Sequence, residues 1–134
     1  MVLETAAKSF EELLTNGDVE TLLMIIPGRF PNFLIYLDVV DTVQAFLEAE
    51  GYEGTFQLAS FHPAYMFSGT TESDASNYTN RSPYPVIQVL RESSITKAVK
   101  SFKDIEKIPE KNVAFAHRVG LDHLIALRLA CFNV

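Results

Sequence analysis

Two apolar segments separated by a long amphipathic stretch constrain the fold of this 134-residue chain more than any other feature. Residues 19–26 form a nearly continuous apolar run closed by Pro27-Gly28, which is typical of a strand buried on both faces. Residues 31–51 carry apolar side chains at helical spacing, and residues 55–61 alternate as a second strand does. Because a right-handed βαβ unit has this size, the pattern predicts two parallel strands joined by a helix.

Helical signals flank this unit. Residues 6–15 predict a helix that ends at Asn16-Gly17. Ser82 as a cap and Pro83 at the first helical position predict a helix over residues 83–92, and a shorter helix is predicted over residues 94–102.

The C-terminal segment, residues 112–134, has an apolar stripe that Gly120 divides, which predicts two helices. Residues 124–134 also fit an edge strand, because apolar pattern alone does not separate these two structures.

These elements predict a single helix-rich domain, residues 1–134, of the α+β or α/β class, with a small and partly parallel sheet. A ferredoxin-like two-layer sandwich is the named architecture that fits best. Two strands are few for a stable sheet, so we expect either a third strand or a sheet completed across a dimer interface.

Charge and composition exclude several classes of function. The formal net charge is −6 and the isoelectric point is near 5.0, whereas nucleic-acid binding needs clustered cations, so no nucleic-acid partner is predicted. The apolar runs are shorter than the ~20 residues that cross a bilayer, so no membrane partner is predicted. The single cysteine, Cys131, fits a reducing, cytoplasmic location.

Residues 62–82 form a connection of about twenty residues without clear periodicity, and such connections in compact domains are usually functional or disordered. Its aromatic residues argue for order. The loop begins after a predicted strand and ends at a predicted helix N-terminus, where an anion is favoured. We therefore expect a cleft that binds a small anionic molecule there.

Two residues of this loop are candidate catalytic groups. His62 suits proton transfer near neutral pH, and Asp74 could assist it, although His62 could instead be a partly buried histidine that donates to a loop carbonyl. Arg81 is placed to bind a carboxylate or phosphate, although it could instead pair with Asp74 or Glu92 and only stabilise the loop. The full set of predicted ligand-binding residues is Tyr65, Asn77, Asn80, Arg81, Ser82, Arg91 and Glu92. The histidine and cysteine spacing predicts no metal site, and no cofactor is indicated.

A long string of these residues resembles the domain-of-unknown-function 1415 family. The similarity spans roughly residues 17–112 and rests on Gln57-Leu58-Ala59-Ser60-Phe61-His62-Pro63, Tyr65, Phe67, Gly69-Thr70, Asp74, Asn77-Tyr78-Thr79-Asn80-Arg81-Ser82-Pro83-Tyr84-Pro85, Leu90-Arg91-Glu92 and Ile108-Pro109-Glu110-Lys111-Asn112. The resemblance implies no reaction, substrate or cofactor.

This chain departs from the family pattern at two points. It contains no Cys-Pro-Phe motif, which similar members carry in an upstream segment before a further strand, and it has Gln88 where the family tends to have histidine. Without the upstream strand an exposed sheet edge is expected, and such edges invite pairing.

Two functions remain open. The first is a binding or enzymatic domain for a small anionic metabolite, with its site in residues 62–82. The second is a non-catalytic module that assembles, for example as a homodimer, through an open sheet edge or its C-terminal segment. The sequence does not decide whether the protein is an enzyme.

Overall fold

The structure, a computed structural model, describes residues 1–133. Its helices and strands, in chain order, are α1 (Val2–Thr15), β1 (Thr21–Ile25), α2 (Phe33–Ala49), β2 (Phe56–Phe61), β3 (Val86–Arg91), α3 (Glu92–Ser101), α4 (Ile108–Val119) and α5 (Leu121–Ala130). Two short 3-10 helices, Ala75–Thr79 and Ile105–Lys107, lie in the connections. The α+β class is confirmed.

The sheet has three strands in the order β1-β3-β2, and β3 pairs antiparallel with both neighbours. The predicted parallel pairing is wrong, as is the α/β alternative. The strand–helix–strand segment exists, but β3 lies between its two strands, so that β1 and β2 form hydrogen bonds with β3 and not with each other. The expected third strand is β3.

The most consequential error of the sequence reading concerns residues 83–92, where a helix was predicted. The structure has strand β3 there, with Ile87 and Val89 fully buried between the less buried Val86, Gln88 and Leu90. Buried and less buried residues thus alternate with the period of two that a strand requires. Ser82 and Pro83 do not start a helix here. The residues that follow form a strand instead, because they supply the hydrogen-bond partners of both other strands.

Helices α1 and α2 cover one face of the sheet and form the core with it. In α1 the buried Ala6, Phe10 and Leu13 recur at helical spacing. Asn32 caps the N-terminus of helix α2. Its side-chain oxygen accepts hydrogen bonds from the backbone N–H groups of Leu34 and Ile35 at 2.9 and 3.2 Å. The core cluster comes from these two helices and the three strands: Ala6, Phe10, Leu13, Met24, Tyr36, Val43, Leu47, Phe56, Ile87 and Val89.

Helices α4 and α5 form a hairpin that packs on the connection between β2 and β3. Gly120 separates them, with φ +89° and ψ +150°, a conformation that residues other than glycine rarely adopt. The prediction of two helices is confirmed as far as residue 133, and the strand alternative for residues 124–134 is wrong. Val134, the last residue of that segment, lies outside the described residues.

The ferredoxin-like order βαββαβ requires a fourth strand. Elements β1-α2-β2-β3-α3 follow the first five positions of this order, but helix α4 comes next within residues 1–133. The complete sandwich therefore stays a prediction. Within the same residues, no helix combines the length and the apolar composition that crossing a membrane requires.

Candidate functional site

Residues 62–82 form an ordered loop that leaves the sheet at the end of β2 and returns at the start of β3. Its base is closed by three hydrogen bonds: His62 N–H to the Asn80 carbonyl at 3.1 Å, Asn80 Nδ2 to the Ser60 carbonyl at 3.1 Å, and Ala64 N–H to His62 Nδ1 at 3.0 Å. The aromatic ring of Tyr65 packs against Phe33, with ring centroids 5.0 Å apart. The loop is thus held by both hydrogen bonds and aromatic contacts.

Tyr36 of helix α2 holds the two strand ends from which the loop emerges. Its hydroxyl donates to the Val86 carbonyl at 2.7 Å and accepts from the Phe61 N–H at 3.2 Å. Burial raises the pKa of this hydroxyl far above its usual value, so Tyr36 stays neutral and serves as a hydrogen-bonding bridge.

The interior of the loop is organised by Asn77, which is completely buried. Its Oδ1 accepts hydrogen bonds from Phe67 N–H and Thr70 Oγ1, both at 2.9 Å, and its Nδ2 donates to the Thr71 carbonyl at 2.8 Å. A side chain with these contacts and no exposed surface shapes the loop and is not available to a ligand.

His62, the predicted acid–base residue, is 1% exposed. Its Nε2 lies 2.9 Å from the Phe30 carbonyl oxygen and its Nδ1 accepts from Ala64 N–H. Since a carbonyl oxygen can only accept, Nε2 carries the proton and both nitrogens are occupied within the protein. In this structure His62 has neither a free lone pair nor a free N–H group for a substrate.

Arg81 lies where the sequence predicted a cation, but its contacts are with neutral groups. Its Nε donates to the Tyr65 carbonyl at 2.9 Å and a terminal nitrogen donates to the Glu72 carbonyl at 2.8 Å. Its guanidinium carbon lies 4.9 Å from the centre of the Tyr78 ring. Neither Asp74 nor Glu92 forms an ion pair with it among the described residues.

A second arginine, Arg128 of helix α5, lies at the same tyrosine. Its guanidinium carbon is 5.6 Å from the centre of the Tyr78 ring, and one terminal nitrogen donates to the Pro63 carbonyl. Its Nε is buried and has no hydrogen-bond partner within residues 1–133. The sequence reasoning missed Arg128 because 47 positions separate it from Arg81, and no local pattern reports such a contact.

Arg81 and Arg128 line one cavity of about 730 Å³ between the loop and helix α5. The other lining residues are Pro63, Ala64, Thr71, Glu72, Ser73, Tyr78, Leu121 and Ile125. Two guanidinium groups that have no carboxylate partner among residues 1–133 therefore share one concave site.

The predicted helix N-terminus after the loop is absent from the structure, because residues 86–91 form strand β3. Ser82 instead donates a hydrogen bond to the Tyr84 carbonyl. The dipole contribution expected for an anion at this point is lost, and any anion must be held by side chains.

Asp74, the second predicted catalytic residue, caps the 3-10 helix Ala75–Thr79. One carboxylate oxygen, Oδ1, accepts from Ser76 N–H at 2.9 Å, Ser76 Oγ at 2.7 Å and His117 Nε2 at 2.8 Å. The hydrogen bond from His117, followed by those from Ser76, lowers the pKa of Asp74 to about 2. Asp74 thus meets a histidine, but His117 of helix α4 and not His62.

The Asp74–His117 pair lines a second cavity of about 600 Å³, between the loop and helix α4. Asn80 lines this cavity, and Tyr65 accepts a hydrogen bond from Arg81 through its backbone carbonyl. His117, like Arg128, lies far along the chain from its partner, and its sequence neighbourhood gives no sign of Asp74.

Arg91 and Glu92 are not brought together with the loop. Arg91 donates from Nε and a terminal nitrogen to the Val19 carbonyl, at 3.2 and 2.8 Å, and to the Asn16 carbonyl at 3.0 Å. Arg91 ends β3 and Glu92 begins α3, so both lie at the far end of this six-residue strand from the loop, roughly 20 Å along it. Arg91 fixes the α1–β1 connection.

Comparisons with known proteins bear on the family alone. The searches of curated proteins and of solved structures give no match. The chain matches a family described as "Protein of unknown function (DUF1415)" over residues 1–126. This match extends the resemblance from residues 17–112 to almost the whole chain and includes His117 of α4, whereas Arg128 of α5 lies beyond it. The protein belongs to the DUF1415 family.

Proposed function

We propose that this protein binds a small anionic molecule in the cavity between the loop and helix α5. The observation that carries the proposal is the pair of arginines, Arg81 and Arg128, that contact Tyr78 and line this cavity without a carboxylate partner among residues 1–133.

The positive charge of both arginines remains available to a ligand. Backbone carbonyls orient the two side chains but do not neutralise them, because a carbonyl carries only a partial charge. A guanidinium has five N–H donors, and the carbonyls engage two nitrogens of Arg81 and one of Arg128. Remaining donors in a partly enclosed site match the oxygens of a carboxylate or phosphate.

The rest of the wall defines the ligand further. Leu121 and Ile125 provide an apolar side, while Thr71 and Ser73 provide hydroxyl groups. Glu72 lines the cavity as well, which disfavours a ligand of very high negative charge at that side. A volume of about 730 Å³ lies within the range of small-molecule sites, which is roughly 300–1,000 Å³.

A thermal-shift screen with inorganic phosphate, phosphorylated metabolites and dicarboxylates tests this proposal. A ligand at ~100 times its dissociation constant stabilises the fold by about 2.7 kcal/mol, on the order of 10 °C in melting temperature for a domain of this size. We expect the shift to disappear in Arg81→Gln and in Arg128→Gln.

Arg118→Gln is the matched control, because Arg118 lies on the exposed side of α4, where it contacts Phe115 and does not line the cavity. A ligand whose shift persists in both cavity variants, or is lost equally in Arg118→Gln, would contradict the proposal. Each variant is also melted without ligand, so that a loss of intrinsic stability is not mistaken for a loss of binding.

Self-association is a second candidate function, favoured by the exposed edge of the sheet. In the described chain β1 pairs with β3 only, and its side chains Leu23 and Ile25 are 56% and 57% exposed. Unpaired edges with apolar side chains are templates for another strand. A second copy could pair its β1 there around a two-fold axis.

Sedimentation velocity from 1 to ~100 µM tests this alternative. If the protein associates through the sheet edge, Leu23→Lys should shift it to monomer. If it associates through the C-terminal segment, Leu129→Lys should do so, because Leu129 on α5 is 53% exposed. Leu14→Lys on α1, 51% exposed, is the control. A wild-type monomer over the whole range removes this candidate.

We also propose that the protein acts in the cytoplasm. Cys131 is an exposed free thiol, which persists in reducing compartments. Recovery of the protein in an oxidising compartment after cell fractionation would refute it.

A further inference from the structure

His117 and His62 have opposite environments, and the contrast points to a second site. His62 is buried with both ring nitrogens occupied, as a structural histidine is. The side chain of His117 is 53% exposed, and only its Nε2 is bonded within residues 1–133, to Asp74. Its Nδ1 has no protein partner there, and His117 lines the cavity between the loop and helix α4.

We propose that Asp74 and His117 form a general-base pair that activates a water molecule for hydrolysis of a small uncharged ester in this second cavity. The inference goes beyond anion binding, since it concerns other residues and another cavity.

The position of Asp74 fixes the chemical state of the imidazole. Oδ1 is immobilised by the Ser76 N–H and hydroxyl groups, and it accepts the Nε2–H of His117. This hydrogen bond selects the tautomer in which Nδ1 carries the lone pair, and the carboxylate stabilises the imidazolium that forms when Nδ1 takes a proton. The same division of roles operates in Asp–His pairs of hydrolases.

The nucleophile must be water, because the neighbouring hydroxyl groups are engaged. Thr70 Oγ1 donates to the Phe67 carbonyl or Asn77 Oδ1, Ser76 Oγ to Asp74, and Thr79 Oγ1 to the Ser76 carbonyl or Asn80 Oδ1. Among the described residues, none of the three hydroxyls forms a hydrogen bond with His117. A protein hydroxyl activated by this histidine is therefore not part of the site.

The reaction balances without any further reactant. Nδ1 of His117 removes one proton from water while the water oxygen forms a bond to the acyl carbon. The tetrahedral intermediate then breaks the bond to the leaving oxygen, which receives that proton from Nδ1. The products are a carboxylic acid and an alcohol, and the imidazole returns to its neutral form.

The walls of the cavity suit an uncharged substrate. Phe67, Pro109 and Val113 form an apolar side, and Asn112 adds an amide group that can donate to a developing oxyanion. The lining contains no lysine or arginine, unlike the first cavity. Ligand charge therefore distinguishes the two sites.

Hydrolysis of p-nitrophenyl acetate and butyrate, followed by p-nitrophenolate release, tests the proposal. Position 117 is changed to glutamine, whose amide can still donate to Asp74 while the base is lost, so the structural role is retained. General-base catalysis contributes 10²–10⁴-fold, so we expect His117→Gln to lower kcat by about 100-fold or more. Asp74→Asn should lower kcat as well, and kcat should fall in D2O.

His123→Gln is the matched control, because His123 is an exposed histidine of α5 outside this cavity. It should keep the wild-type rate. Equal rates in wild type and His117→Gln, or an equal loss in His123→Gln, would overturn the proposal. A burst of p-nitrophenolate would also overturn it, because a burst indicates a covalent acyl intermediate and not attack by water.

Discussion

At the scale of single residues, Asn77 has the largest structural role in the loop. We expect Asn77→Ala to lower the free energy of unfolding by about 3 kcal/mol, because the Phe67 N–H and the Thr71 carbonyl lose their hydrogen bonds to a fully buried side chain. Asn80→Ala is the matched comparison, since it removes one side-chain bond to the backbone, to Ser60, and should cost about 1 kcal/mol. Urea unfolding measures both, and equal losses would contradict this ranking.

Asp74 links the stability of the protein to pH. Its pKa is about 2 in the folded protein and 3.8 in the unfolded reference, so the fold favours the carboxylate. The stabilising contribution is complete above about pH 4 and is lost as pH falls towards 2. The difference in unfolding free energy between wild type and Asp74→Asn should therefore shrink across this window. Urea unfolding at pH 5, 4, 3 and 2 measures it, and a constant difference would refute the linkage.

The residue types of the site could be predicted from the sequence better than their roles. Arg81, predicted to lie at a cleft, lines a cavity, whereas Asp74, predicted to assist His62, bonds His117 instead. The partners were not predictable, because Arg128 and His117 come from helices more than 40 positions away. The role of His62 was not predictable either, because its Nε2 is occupied by the carbonyl of Phe30, which lies 32 positions away in the sequence.

At the scale of elements, local sequence signals predict the helices correctly. They do not predict β3, whose structure depends on pairing with strands that are distant in the sequence. The helices α1, α2 and α3 and the division at Gly120 follow from spacing, caps and stops. Strand β3 does not, because a helix-start signal precedes it and its pairing with β1 is set by residues 61 to 69 positions apart. Because residues 83–92 are predicted as a helix, only two strands remain in the prediction. A helix joins those two strands, so they are predicted to pair in parallel, whereas β3 lies between them in the structure.

Gly120 sets the geometry of the α4–α5 hairpin, and its substitution should show this. At φ +89° and ψ +150° alanine is strained by about 1–3 kcal/mol, even though a Cβ there meets no atom within 4 Å. We expect Gly120→Ala to lower the melting temperature and to weaken ligand binding in both cavities, because the hairpin supplies one wall of each.

Gly17→Ala is the control for this substitution. Gly17 also has free space for a Cβ, and its φ lies outside the left-handed region, so alanine should be nearly neutral there or stabilise slightly. If Gly120→Ala melts at the wild-type temperature, the hairpin does not depend on this backbone conformation.

At the scale of the whole molecule, stability and candidate function lie in different parts. The core cluster is built by α1, α2 and the three strands, and rings such as Phe10 and Phe56 stack within it at 5.7 Å. Every residue of α3 and α5 is at least partly exposed, and α4 buries Ala116 alone among its twelve residues. The hairpin that completes both cavities therefore buries few residues, and its hydrogen bonds to the loop include His117–Asp74 and Arg128–Pro63.

This division predicts two levels of amide protection in hydrogen exchange. Amides of α1, α2 and β3 should exchange only through global unfolding, because opening them exposes the core. Amides of α4 and α5 should exchange faster, through local opening that breaks a few polar contacts and exposes little apolar surface.

A ligand bound by Arg81 and Arg128 joins the loop to α5, so it should slow exchange in α5 more than in α1. Mass spectrometry of wild type with and without ligand measures this; protection of α5 equal to that of β3 in the free protein would show that the hairpin belongs to the same cooperative unit as the core.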